Sequence, residues 1–203
     1  MRRSLLAVVS LAVLAVLAVP AVAQETGTPV FLGSQRLFDK SAFGVSVSDP
    51  GNSGIAFEGY YRMAKGPTQD FGFRIGFADP DGNSSTAFLI GGDYRARLLN
   101  HSDNFPLDGA LIVGVGASLL EGANALFVPV GFALGRQILL DNSTTSFVPY
   151  VTPTFIPTFA DDTDLNFAVG LGVDIKFGAN FSMNVGGSFG DLDGLSASFS
   201  WLH

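Results

Sequence analysis

There is no cysteine anywhere in the 203 residues. That excludes a disulfide scaffold, a thiol nucleophile and a thiolate-bound metal. Charge is scarce as well: 14% of residues are charged, against about 25% in ordinary soluble domains. Positive charge is scarcest, with 11 Lys+Arg against 18 Asp+Glu and an isoelectric point near 4.5. Such a surface repels phosphate backbones, so nucleic acid is not an expected partner. Beyond the first 23 residues there is no run of 18 strongly apolar residues, so no transmembrane helix is expected there. Helical periodicity is missing too. What is abundant is apolar and aromatic: 47% hydrophobic residues, 19 Phe, 25 Gly and a mean hydropathy of +0.37. That composition excludes disorder.

Residues 1–23 read as a secretory signal. Arg2 and Arg3 form a positive start, Leu5 to Val19 is apolar apart from Ser10, and Ala21-Val22-Ala23 is a small-x-small cleavage site before Gln24. Loss of Arg2 and Arg3 takes the net charge from −7 to −9. Residues 24–40 show no alternation and are expected to be a periplasmic lead-in, or a segment tucked into the mouth of the fold. Residues 41–203 are expected to form one β domain.

A period of two runs through that domain. In Leu165 to Phe177 every odd position is large and apolar, while every even position is small, polar or charged. Successive strand side chains point to opposite faces, so one face is bulky and apolar. Phe71, Phe73, Ile75 and Phe77 alternate with Gly72, Arg74, Gly76 and Ala78 in the same way. A soluble barrel would bury the bulky face and present a second face rich in Lys, Glu, Thr and Gln to water. Here the second face is mostly Gly, Ser and Ala. Small residues suit the crowded inside of a narrow cylinder. The pattern therefore predicts an all-β fold turned inside out: a single transmembrane antiparallel up-and-down barrel. A secreted soluble β-barrel that binds an apolar ligand is the alternative.

Turn signals divide the domain into ten strands near 41–48, 53–64, 70–78, 86–99, 108–119, 124–138, 146–158, 164–177, 180–189 and 194–202, with eight as the fallback count. With the N-terminus in the periplasm, the outer connections carry Asp49, Asp79, Asp81, Glu121, Asp161, Asp162, Asp191 and Asp193 and no base. The inner connections are mixed. The strand at 147–158 breaks a rule, because Pro149, Pro153 and Pro157 recur every four residues. Each removes a ladder donor. A bulged or partly out-of-membrane strand, or a gap in the wall opening laterally toward lipid, would follow.

The inward face carries the informative charges. Glu58, Arg62, Arg74, Asp93, Arg95 and Arg97 lie on three consecutive strands, with Arg74 expected within about one pleat of both Glu58 and Asp93. Asp174 and Lys176 form a second inward pair. Charges confined in a narrow barrel need partners, since desolvating one alone costs several kcal/mol. The cluster reads as a salt-bridged plug, or as a charged constriction that selects small solutes. No catalytic, cofactor or metal site is expected. His101 falls in an inner turn and His203 is the last residue, so neither supplies a base at the outer rim. Asp79-Pro80-Asp81-Gly82-Asn83 lacks the other ligands of a calcium loop.

The last thirty residues carry a family resemblance. Lys176-Phe177-Gly178-Ala179-Asn180-Phe181-Ser182 leads into an alternating strand, and Phe189-Gly190-Asp191-Leu192-Asp193-Gly194 leads into the closing strand that ends at Trp201. With the signal and the alternation, the chain resembles the broad OmpA-/OmpX-like superfamily of small bacterial outer-membrane β-barrels. That resemblance implies a monomer in the outer membrane, in contact with the lipid bilayer and lipopolysaccharide. It also implies insertion by the barrel-assembly machinery, which reads a terminal strand ending in an aromatic residue. Here Leu202 and His203 follow Trp201. The role implied is non-enzymatic and structural or surface-related, with a narrow pore or carrier for small or hydrophobic solutes as the alternative.

Overall fold

An extended chain with bulky residues on one side and small ones on the other has one economical arrangement when the bulky side meets lipid. The strands must pair edge to edge until no edge remains. A computed structural model describes residues 26–29, 40–49, 54–79, 86–192 and 194–203 of this protein. The signal segment at 1–23, most of the lead-in at 24–40, and Asp81 and Asp193 lie outside the described residues.

Among the described residues, twelve β segments are formed: β1 (Ala42–Asp49), β2 (Ile55–Lys65), β3 (Gln69–Asp79), β4 (Ala87–Leu99), β5 (Asp108–Leu120), β6 (Ala123–Phe127), β7 (Val130–Gly135), β8 (Ile138–Leu139), β9 (Ser146–Phe159), β10 (Thr163–Phe177), β11 (Phe181–Gly190) and β12 (Gly194–Leu202). All pairings are antiparallel, and β1 pairs with β12 from Ala42↔Leu202 to Asp49↔Leu195. The sheet is thereby closed. β6, β7 and β8 follow one another along a single stave between β5 and β9, so the wall has ten staves. The fallback of eight is set aside.

The faces fall as the alternation requires. Phe57, Phe73, Phe199 and Leu165 are outward and exposed, Phe57 at 63% and Leu165 at 68%. Ala42, Ala56 and Ala168, one pleat over, are fully buried inside. A soluble barrel would show the reverse. Near the rim that carries His203, Phe181 packs against Trp201 with ring centroids 4.5 Å apart, and His203 lies 6.0 Å from Phe43 and from Tyr61. Pairing runs on past Trp201: the Leu202 amide donates to Asn180 (2.6 Å) and the His203 amide to Ser41 (3.0 Å).

Two expectations about the wall need correction. The strand expected over 124–138 is broken at Val128-Pro129 and at Arg136-Gln137. The proline-bearing strand is not bulged: β9 pairs with β10 in unbroken register from Ser146↔Lys176 to Phe159↔Thr163. Pro129 interrupts the pairing toward β5, and toward β9 both results follow from where the prolines of β9 point. The Val128 and Arg136 amides donate to the carbonyls of Pro157 (2.9 Å) and Pro149 (3.4 Å). A strand residue turns its N and its C=O to the same neighbour. The prolines therefore face the sixth stave, and it is that stave whose ladder is interrupted.

Candidate functional site in the barrel interior

The interior charge cluster is built by register. Rows across β2, β3 and β4 run Ala64–Asp70–Arg95, then Arg62–Gly72–Asp93, then Tyr60–Arg74–Gly91, then Glu58–Gly76–Leu89. These positions are even-numbered on β2 and β3 and odd-numbered on β4, and they share the inward face. Gly72 decides the pairing. A Cβ there would collide with both Asp93 Oδ1 and Arg62 Nη2. Its absence lets the Arg62 guanidinium cross the middle stave and place Nη2 at 2.5 and 2.6 Å from the two oxygens of Asp93. The same guanidinium donates through Nη1 to Asp70 Oδ1. Asp70 Oδ2 then accepts from Arg95, Nη2 at 2.6 Å and Nε at 3.2 Å. The result is an alternating chain, Asp93–Arg62–Asp70–Arg95, whose four members are each at most 6% exposed.

Arg74 stands one row from both Glu58 and Asp93, as expected; its Nη1 reaches Glu58 Oε2 (3.4 Å), while both oxygens of Asp93 accept from Arg62. Glu58 is also held from within. The Thr26 hydroxyl donates to Oε1 (2.8 Å) and the Thr28 hydroxyl to Oε2 (2.7 Å), and both threonines are buried. Ser196 donates to the Pro29 carbonyl at 2.7 Å, and Gly27 lies against the Phe127 ring. Thr26–Pro29 therefore sit inside the wall, so the periplasmic placement of the lead-in does not describe these four residues. Lys40 is at the other rim, where it donates to the Ala179 carbonyl (2.9 Å).

Arg97 follows Arg95 on the inward row of β4, and Lys176 follows Asp174 on that of β10. Asp174 accepts from Asn184 Nδ2 (3.1 Å), and the same amide nitrogen lies 3.0 Å from Tyr150 Oη. Tyr150 repeats the Gly72 device. It lies over Gly172, where a Cβ would stand 2.6 Å from Cζ, to reach Asn184 on β11. Tyr60 likewise crosses Gly44 to meet Ser200 Oγ at 2.6 Å.

Asp70 and the threonines were not singled out from sequence. Asp70 follows Pro67-Thr68-Gln69 and has the look of a turn residue. Its parity with Arg74 was the available signal. Away from the cluster, His101 Nδ1 lies 2.9 Å from Asp108 Oδ2 in the β4–β5 connection, at the same rim as His203. This arrangement can neutralise charge, fill the lumen and fix register.

No family model and no curated protein sequence matches the chain. Solved structures do. A β domain of the Bordetella autotransporter BrkA superposes with a TM-score of 0.53 at 11% identity, covering 81% of this chain and 99% of that one. A de novo designed transmembrane β-barrel gives 0.42 at 14% identity over 83% and 99%. A bacterial polysaccharide outer-membrane secretin gives 0.47 at 10% identity over 81% and 64%. Together with the exposed apolar belt, closed wall and buried charges, the likeness to the autotransporter β domain makes the fold that of a transmembrane β-barrel, closed by ten antiparallel staves.

Proposed function

We propose that the protein is a non-enzymatic integral barrel of a bacterial outer membrane that does not conduct, and that it serves the structure or surface of the envelope. One observation carries this reading. The space a pore would need is taken up by the Asp93–Arg62–Asp70–Arg95 chain and by Thr26–Pro29 bound to Glu58. A ten-stave barrel leaves little lumen beyond its side chains. Its kinship is with the small OmpA-/OmpX-like barrels, as the closing hairpin implies. A lipid bilayer with lipopolysaccharide outside would surround a monomer, delivered by the barrel-assembly machinery. Among the described residues, Asp49, Asp79, Glu121, Asp161, Asp162 and Asp191 stand at one mouth and would give that surface its charge.

The test is a planar-bilayer recording beside a heat-modifiability gel of refolded protein. The expected result is a folded band that shifts on boiling and no unitary conductance. Stable channels from the folded band would overturn this reading in favour of a narrow pore for small solutes.

A further inference from the structure

Pro149, Pro153 and Pro157 take every second position on the edge that β9 turns to the sixth stave. The pairs across this seam keep one register: Leu126↔Phe159 and Phe127↔Thr158, Val130↔Phe155 and Gly131↔Thr154, Leu134↔Val151 and Gly135↔Tyr150, Ile138↔Phe147 and Leu139↔Ser146. In that register Val128 faces Pro157, Phe132 faces Pro153 and Arg136 faces Pro149. Each interruption of the ladder thus falls at a proline. Proline has no N–H to return, so the carbonyls of Val128, Phe132 and Arg136 receive nothing from β9. A row of acceptors is left in a wall that borders lipid, where an unsatisfied group is costly.

A second observation lies at the central interruption. Thr152 is 1% exposed on the inner side of the wall, next to Pro153, and its Oγ1 has no hydrogen-bond partner among the described residues. The neighbouring Thr154 hydroxyl donates to the Thr152 carbonyl (3.3 Å). Outside the same rungs lie Phe132, Pro153 and the exposed Phe155. From lipid to lumen, the seam offers apolar side chains, then acceptor carbonyls, then a buried hydroxyl.

The geometry points to a lateral entry site: the seam between β9 and the sixth stave admits the carboxyl head of a fatty-acid-like amphiphile to Thr152 while its chain stays in the bilayer. A protonated carboxyl carries the two groups this rung lacks. Its O–H donates to the Phe132 carbonyl, and its C=O accepts from Thr152 Oγ1. Parting these strands disrupts a ladder already missing every second β9 donor, so local opening is easiest here. This goes beyond the closed lumen, because the head group stops at the wall and no solute crosses.

The test uses a diazirine-bearing palmitic acid in phosphatidylcholine vesicles holding the refolded protein, with labelled residues mapped by mass spectrometry. Label is expected at Phe132, Thr154 and Phe155 rather than at Phe73 or Phe199 across the barrel. The chain has no cysteine, so a lock is easily made with Gly131→Cys and Thr154→Cys. A Cβ at Gly131 stands 3.2 Å from Thr154 Cβ, close to the roughly 3.5–4.5 Å of a disulfide. Oxidising this variant should cut seam labelling about tenfold, and reduction should restore it. Thr152→Val, which removes a buried hydroxyl lacking a partner, should fold as well as the parent yet also lose seam label. Label spread evenly around the barrel, seam label indifferent to oxidation, or full labelling of Thr152→Val would each overturn the proposal.

Discussion

Replacing Arg62 with Met tests whether the interior chain of charges holds the barrel together. Arg62 neutralises two carboxylates at once, through Nη1 to Asp70 and Nη2 to Asp93. After substitution Asp70 keeps Arg95, but Asp93 loses the guanidinium that engaged both its oxygens. Removing one partner of a buried ion pair costs about 3–5 kcal/mol, which lowers the folding equilibrium constant by at least about two orders of magnitude. Arg74→Met supplies the comparison. Its partner Glu58 keeps two hydroxyl donors, Thr26 and Thr28, so the loss is nearer a single hydrogen bond to a charge, about 1.5–3 kcal/mol. Adding Asp93→Asn to Arg62→Met removes the stranded charge and should recover much of the deficit. The assay is urea unfolding from lipid vesicles, followed by fluorescence of Trp201, the one tryptophan of the chain. It lies on the outward face and leaves lipid on unfolding. The reasoning fails if Arg62→Met matches the parent, if Arg74→Met costs more, or if Asp93→Asn brings no recovery.

Two further substitutions probe wall and interior separately. Ile75 is outward and 53% exposed, so Ile75→Arg should cost about 2–4 kcal/mol near the bilayer midplane in the same titration, while a negligible cost would place this face in water. Gly72→Ala should destabilise by about 1–3 kcal/mol through overpacking, since its methyl meets Arg62 and Asp93 together; in the Arg62→Met background that penalty should shrink, and an undiminished penalty would show that Gly72 does not serve the crossing.

The wall was more legible in the sequence than its contents. The direction of the bulky face followed from what opposed it: a row such as Gly72, Gly76 and Ala78 makes a poor water-facing surface and a good lining. Strand limits followed from turn residues and fell within a residue or two of those observed, except on the sixth stave. There Pro129 marks one break within the segment itself, but the ladder to the next strand is interrupted by Pro149, Pro153 and Pro157, which lie on that other strand. No local reading contains that fact. Pairing inside the barrel was half legible for a similar reason. Hairpin counting placed Arg74 near Glu58, but choosing between Arg62 and Arg74 for Asp93 depends on which side chain finds a glycine to cross. Thr26 and Thr28 were invisible because nothing in an irregular segment ahead of the first strand says which carboxylate it will meet.

The contact between Pro29 and Ser196 spans 167 positions of the chain, and the seam that closes the barrel joins Ala42 to Leu202. Hairpins such as β2–β3 need only a few residues between their strands, whereas these contacts need the two ends of the domain to meet. The entropy of closing so large a loop has to be met before the contacts return anything, which slows folds dominated by distant pairings. The meander can therefore zip locally and early, and the β1–β12 junction is expected to come last. Once that junction has formed, Thr26–Pro29 can reach Glu58 only through an open rim. Capture of the segment before the ring shuts is thus the direct route, and the order of assembly becomes as much a determinant of the finished interior as the contacts themselves.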